Sequence, residues 1–551
     1  MNRKKIFTSL LSLSLIVSLL SGCGGGKTDA TSSSDTKKAQ TEFSLFYNLN
    51  TKPVDISATA VGKKITEITG TTFKTEYLVG TESKTKAGIM IASGEYPDIV
   101  CLDAGDIDAF KAAKALVPLD DYIEKYGTNI KKVYADDLKK LKDPKDGHIY
   151  SLPPGRKNAT ALYPNSGFYL AKDVLKQAGY PKVTTLTQYF KLIQDYIAKN
   201  PTFNGKPNIG FTANAVDKNY LVANVGSYLA GYPNTGSCYI DDKNVAHNYS
   251  LSDYTHNYLQ TLNTMWSKNI VDKQIFIDNN DAWKAKMTTG RVLGFYGERW
   301  EITDAITSLE QQKLFDRIPF AMPVVFDGVA KESYNGLETI QSTGGMYITK
   351  SCKDPVAAFK LLDQMASDKI QKLANWGIEG VDYTVKDGKM TESEAQATIM
   401  SDPDYPQKTG VGSLWFFPHS DAGKDAKFAD GNYVNPTDTP EYIATKYKPY
   451  EKEMLTAYNV KNLNDMFAPA KKSDFGFGWD ISVPDTESAV KIAQQKSNDL
   501  QAKYMAKLVM AKTSDFETVW SDYTKDMKGI NYNINENYIT KIIQQRVKDW
   551  K

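Results

Sequence analysis

Phe43-Ser44-Leu45-Phe46-Tyr47 opens the stretch, running to Leu102, whose reading decides the fold. Its five residues are apolar but for one and rich in aromatics, the pattern of a buried strand. From Ile56 to Thr69 the apolar positions change to helical spacing through Val61, Ile65 and Ile68. Phe73 to Val79 returns to strand, and Lys84 to Ala92 is helical up to Ser93-Gly94. Tyr96-Pro97-Asp98-Ile99-Val100-Cys101-Leu102 then leads into a third strand. Strands that alternate with helices pair through crossovers, which predicts an α/β protein with a largely parallel sheet.

Downstream, Asp106 to Leu116 is a further helix, closed by Pro118. Tyr150-Ser151-Leu152-Pro153-Pro154-Gly155 breaks the rhythm. Gly167 to Ala171 resumes it as a strand, followed by the helix Lys172 to Gln177 and Gly179. The first passage between lobes is placed near Tyr163 to Ser166. Ile209 to Ala213, Val292 to Tyr296 and Ile318 to Val325 read as strands, with a helix over Tyr254 to Trp266. The polar segment Gly328 to Gly345 carries the chain back to a strand at Met346 to Thr349. Asp354-Pro355 are a cap and a first helical position, and Val356, Phe359, Leu362 and Met365 make one apolar face. From Glu392 to Ala470 the text is rich in Asp, Pro, Gly and Tyr and reads as loops with short helices. Two helices close the chain, one through Phe516, Val519, Trp520, Tyr523 and Met527, the other through Ile539, Ile542, Ile543, Val547 and Trp550. No fixed-period repeat is visible.

Upstream, Arg3, Lys4 and Lys5 precede an uncharged run from Ile6 to Leu20, which ends in Leu20-Ser21-Gly22-Cys23. A basic start, an apolar run and small residues are the order of a secretory signal, and the run is short for a membrane span. The cysteine stands where bacterial lipoproteins are acylated, so residues 1–22 are expected to be removed and Cys23 to carry a palmitate-type anchor. Gly24 to Thr41 holds no bulky apolar residue and is expected to be a flexible tether, residues 23–41.

The remaining chain exceeds one ordinary core, which calls for two lobes or more. Of the full sequence's 551 residues, 67 are basic and 65 acidic, and loss of Arg3, Lys4 and Lys5 takes the net charge from +2 to −1. That balance argues against nucleic acid as a partner. Besides Cys23 there are Cys101, Cys238 and Cys352, widely spaced, which reads as buried thiols rather than a disulfide framework or zinc site. His148, His247, His256 and His419 are scattered and form no metal-binding cluster.

Several stretches together resemble the extracellular solute-binding lipoproteins that serve ABC transporters for oligosaccharides, in their long Gram-positive subfamily. They are the lipobox and tether, Ala92-Ser93-Gly94-Glu95-Tyr96-Pro97-Asp98-Ile99, Tyr150-Ser151-Leu152-Pro153, Trp376-Gly377-Ile378-Glu379-Gly380-Val381-Asp382-Tyr383 and the helices after Phe516. The resemblance covers essentially the whole chain. It implies a two-lobed, periplasmic-binding-protein-like α/β fold. Each lobe would be a mostly parallel sheet flanked by helices, with hinge crossovers and a helical C-terminal part. Lobe 1 is expected over 42–164 and 336–400, and lobe 2 with the closing helices over 165–335 and 401–551. The implied partners are an oligosaccharide, a permease pair with its ATPase, and the membrane through the lipid anchor, for a protein that acts as a monomer on the outer face of the cell membrane. Relatives often carry a calcium-binding Asp/Asn-rich loop. The matching Asn200-Pro201-Thr202-Phe203-Asn204-Gly205-Lys206-Pro207-Asn208 lacks carboxylates, so no metal or other cofactor is expected here.

Sugars present flat apolar faces edged with hydroxyls, which aromatic rings cover and carboxylates, amides or Arg bond. The chain holds 8 Trp, 33 Tyr and 22 Phe, most of them needed for the core, so position has to discriminate. Ligands of open α/β sheets meet the loops after the carboxyl ends of strands. That rule selects Tyr47, Asn48 and Asn50 after the first strand, and Asp103 and Asp106 after the third. It also selects Gly297-Glu298-Arg299-Trp300 and, on the return segment, Tyr334 and Asn335. The resemblance implies that Trp300 stacks on the ligand. Glu298 and Arg299 could instead pair with each other. Trp283, Trp376 and Trp415 are further candidates with a greater claim to be core.

Two other functions compete. A glycan-degrading enzyme needs two suitably spaced carboxylates, which the sequence can supply. It shows no nucleophile elbow or metal cluster, and Ser83 with Lys86 and Lys408-Thr409-Gly410 make only an incomplete penicillin-binding set. A binder of peptides or another solute on the same scaffold is the other alternative.

Overall fold

The computed structural model describes residues 41–550, apart from 49–51, 79–82, 103–104, 144, 156–162, 165, 217–219, 234, 341–343, 394–395, 397–398, 400–401, 403, 420–425, 440–446, 482 and 484–486. The expected signal, the tether up to residue 40 and Cys23 lie outside the described residues, as do Asn50 and Asp103.

The stretch that opens the sequence argument forms the first sheet. β1 (Thr41–Tyr47) lies between β2 (Thr71–Tyr77) and β3 (Ile99–Cys101), parallel to both, with Tyr47 opposite Tyr77. Beyond β3 come Met346–Ile348 and then β4 (Ser151–Leu152), each joined antiparallel. Alternate residues of β1 enter different cores. Phe43, Leu45 and Tyr47 pack with Val61 and Ile65, whereas Phe46 packs with Val100 and Phe110. Helices on both faces suit a sheet whose strands are apolar on both sides. The helix Ala60–Thr69 starts where the Thr59 hydroxyl accepts from the Gly62 amide and stops at left-handed Gly70. The helix Pro355–Met365 starts at Asp354, whose carboxylate accepts from Ala357.

The second sheet has β5 (Ser166–Ala171) at its centre, antiparallel to Gly294–Glu298 on one side and Pro319–Met322 on the other. Single parallel bridges, Ile209 to Val292 and Thr212 to Phe295, extend it. The architecture is thus α/β and two-lobed, but the second sheet is antiparallel at its heart rather than mostly parallel. Alternation fixes direction only between strands joined by one crossover, and the neighbours of β5 lie far along the chain. Tyr169 stacks on Phe295 at 4.7 Å, and the helix Leu186–Lys199, opened by a Thr185–Gln188 capping box, covers this core with Tyr189, Phe190 and Ile193.

Leu337–Glu338 pairs with Lys471–Lys472, whereas Ile340 belongs to the first core. Tyr405, Val411, Leu414, Phe416 and Phe417 also pack in the first core, and Phe428 and Val434 pack on Trp376. Tyr447 and Tyr450 are in the second. Packing in the first core thus continues past the expected 400, as far as Phe417. The aperiodic text there gave no sign of which core its scattered apolar residues join.

Three further features matter below. Gly345 has φ 73, and a Cβ placed on it would overlap the backbone of Leu152 and Pro153. Asn204 and Gly205, both at positive φ, turn the hairpin between Thr202–Phe203 and Lys206–Pro207, with the Arg317 guanidinium 4.0 Å from the Phe203 ring. Cys101, Cys238 and Cys352 are buried and unbridged.

Buried Lys172 meets Asp316 at 2.9 Å and Glu453 at 2.5 Å. Hydrogen bonds from Lys172 and then Tyr180 hold Glu453 well below its ordinary value, at about 2. A carboxylate depressed in the folded state lends stability above its ordinary pKa and loses it as pH falls through the folded value. Urea midpoints should therefore fall between about pH 4.5 and pH 2, and Glu453→Gln should make that fall shallower. A pH profile identical to wild type would exclude Glu453 as a contributor.

Candidate functional site

Parallel, in-register pairing puts Tyr47 and Tyr77 side by side at the carboxyl ends of β1 and β2, with rings 4.8 Å apart and 5° from parallel. Phe416 tilts against Tyr47 at 5.2 Å, and Trp415 beside it is 41% exposed. These rings, with Lys52, Val54, Pro406, Gln407, Gly412 and Ser413, line a cavity of about 180 Å³. Lys52 is ion-paired with Asp404. Burial raises the Tyr47 phenol far above its ordinary pKa, so its hydroxyl is neutral. That hydroxyl and Gln407 Oε1 are both buried and lack a hydrogen-bond partner among the described residues.

Next to the rings, the Asn48 amide donates to Asp106 Oδ2 at 2.9 Å and to the Ser83 carbonyl at 3.0 Å. Asp106 precedes the helix Ile107–Ala112. The loops after β1 and β3 are thus tied together by two of the expected residues.

In the second lobe, Glu298 ends its strand and Arg299–Glu301 form a short helical turn, fixed as Glu301 Oε2 accepts from the Glu298 amide at 2.9 Å. Trp300 on that turn is 65% exposed. Arg299 lies 3.4 Å over the Tyr163 ring, whose hydroxyl donates to Glu451 at 2.6 Å. Burial raises the Glu451 pKa, with Tyr163 opposing it. Arg299 is therefore held by Tyr163, a use the sequence did not suggest.

Four expected residues are core instead. Trp283 and Trp376 are each 1% exposed, the first packed edge-on to Phe295 and the second donating to the Tyr433 carbonyl. Tyr334 is buried against Phe467 and donates to the Val324 carbonyl, and neighbouring Asn335 donates to Ala468. All four side chains are buried, away from the exposed surface. Tyr77, Gln407 and Phe416 were missed. Tyr77 was legible, since it ends its strand in step with Tyr47; nothing local distinguishes the other two.

Ring-bearing side chains thus cluster at the strand ends of a two-lobed α/β scaffold. Residues 60–379 match the family of bacterial extracellular solute-binding proteins. The chain belongs to this family.

Among curated proteins, this solute-binding protein is 24% identical over 467 residues to the fructooligosaccharide ABC transporter substrate-binding protein FusA of Streptococcus pneumoniae serotype 4. That match spans 80% of this chain and 79% of FusA. It is 23% identical over 405 residues to lipoprotein LipO of Bacillus subtilis, spanning 70% of this chain and 75% of LipO. Its fold matches an HMO-binding, ABC-transporter-associated solute-binding protein from Bifidobacterium longum infantis. The TM-score is 0.68 at 15% identity, over 92% of this chain and 99% of the other.

Proposed function

We propose that this protein is the capture component of an ABC importer, taking oligosaccharides from outside the cell and delivering them to a permease pair driven by an ATPase. The reading is carried by the ring-walled cavity at the carboxyl ends of the first sheet. Its rings and neutral polar atoms suit a sugar face and its hydroxyls. Exposed Trp300 at the corresponding strand end of the second lobe supplies the opposing platform. Relatives named for fructooligosaccharide and HMO binding agree with it. The protein acts as a monomer tethered through acylated Cys23 to the outer face of the cell membrane, and changes no bond in its ligand.

The direct test is calorimetry and thermal shift of the purified protein with kestose and milk-type oligosaccharides. A ligand at a hundred times its Kd should stabilise the native state by about 2.7 kcal/mol, and the glycan should be recovered intact. Cleaved glycan, or no shift with any oligosaccharide, would refute the reading.

Binding works through the hinge. Contacts to both lobes exist together only when the cleft is shut, so ligand shifts the population toward closure. A micromolar complex supplies roughly 8 kcal/mol, ample for a hinge of a few. Small-angle scattering should show a smaller radius of gyration on saturation; an unchanged profile would exclude closure.

A further inference from the structure

We infer that the cavity beneath Trp415 receives the terminal ring of a neutral saccharide, so that the protein reads its ligand from a chain end. This rests on the saccharide reading above and specifies which part of the ligand is held. Four observations carry it.

The first is size. The cavity measures about 180 Å³, roughly six waters' share of liquid volume at ~30 Å³ each. One sugar ring fills such a space and two do not. The second is its position. Its floor is the Tyr47–Tyr77 stack and Phe416, all anchored in the first core or at its strand ends. Rings held this way do not part to let a chain run through. Trp415, packed on Phe416, lines the same cavity and is 41% exposed, so it offers a ring to the next unit of a chain.

The third observation is unmet polarity. Tyr47 and Gln407 both line the cavity, and each carries a buried polar atom without a partner. Such atoms are costly in a folded protein unless something meets them. Sugar hydroxyls answer both, one donating to Gln407 Oε1 and one pairing with the Tyr47 hydroxyl. The fourth is charge. Lys52 is the charged side chain among the lining residues, and it is neutralised by Asp404. A uronate or sialate would have to break that pair or sit opposite the Asp404 carboxylate. The cavity thus selects against an acidic terminal unit.

The experiment compares chains that have ends with rings that have none. Calorimetry on the full chain would use kestose and nystose against cycloinulohexaose, and maltohexaose against α-cyclodextrin. The linear member of the recognised pair should bind at least tenfold more tightly than its cyclic counterpart. Gln407→Leu, with its melting temperature checked, should lower affinity for the linear sugar about tenfold and leave the linear preference in place. Equal binding of linear and cyclic forms, or unchanged affinity in Gln407→Leu, would overturn end recognition alone. No binding of any of these sugars would overturn the saccharide reading and this inference together.

Discussion

Gly345→Ala should destabilise the protein by about 3 kcal/mol or more, with a urea midpoint far below that of wild type. Two independent effects add. At φ 73 the backbone is left-handed, where a β-carbon costs about 1–2 kcal/mol. The new methyl would also overlap the backbone of Leu152 and Pro153. Backbone cannot swing aside as a flexible side chain can, so β4 would have to leave its neighbour Met346–Ile348 and lose the pairing of Leu152 with Met346. Overpacking of this kind costs about 1–3 kcal/mol. Gly328 separates the two effects, because its φ is 87 and nothing lies near the position of its missing Cβ. Gly328→Ala should lose only the conformational part, about 1 kcal/mol. Equal losses at the two positions would show that the close approach to β4 carries no energy.

Trp300→Ala should weaken oligosaccharide binding at least tenfold, about 1.4 kcal/mol, without lowering the melting temperature. At 65% exposure the indole has little folded-state packing to lose, while an aromatic platform under a sugar ring is a large part of what such a site offers. Trp283→Ala is the matching control. That ring is in the second core and 1% exposed, so truncation should cost about 3–5 kcal/mol of stability. Calorimetry and melting on the two variants should therefore separate cleanly. If Trp300→Ala keeps full affinity, the residue is not in the site.

Much of the first lobe was readable because its signals are local. Apolar period, caps and stop residues between Phe43 and Leu102 concern neighbours a few positions apart, and Ala60–Thr69 folds as the helix its text implies. The antiparallel heart of the second sheet was not readable, because β5 finds partners more than a hundred residues away. The candidate site divided for a similar reason. Trp300 and Trp415 follow no helical face and emerge exposed. Trp283 shares a helix with Met287, and Trp376 with Ile370, and in both cases the shared face turns inward. Gln407 carried no such mark: its importance comes from a cavity assembled by distant segments.

The fastening of Tyr163 reaches beyond Arg299. The same ring packs against Tyr447 at 5.8 Å and bonds Glu451. Any displacement that slides Tyr163 out from among its neighbours must give up a cation, a ring and a carboxylate together.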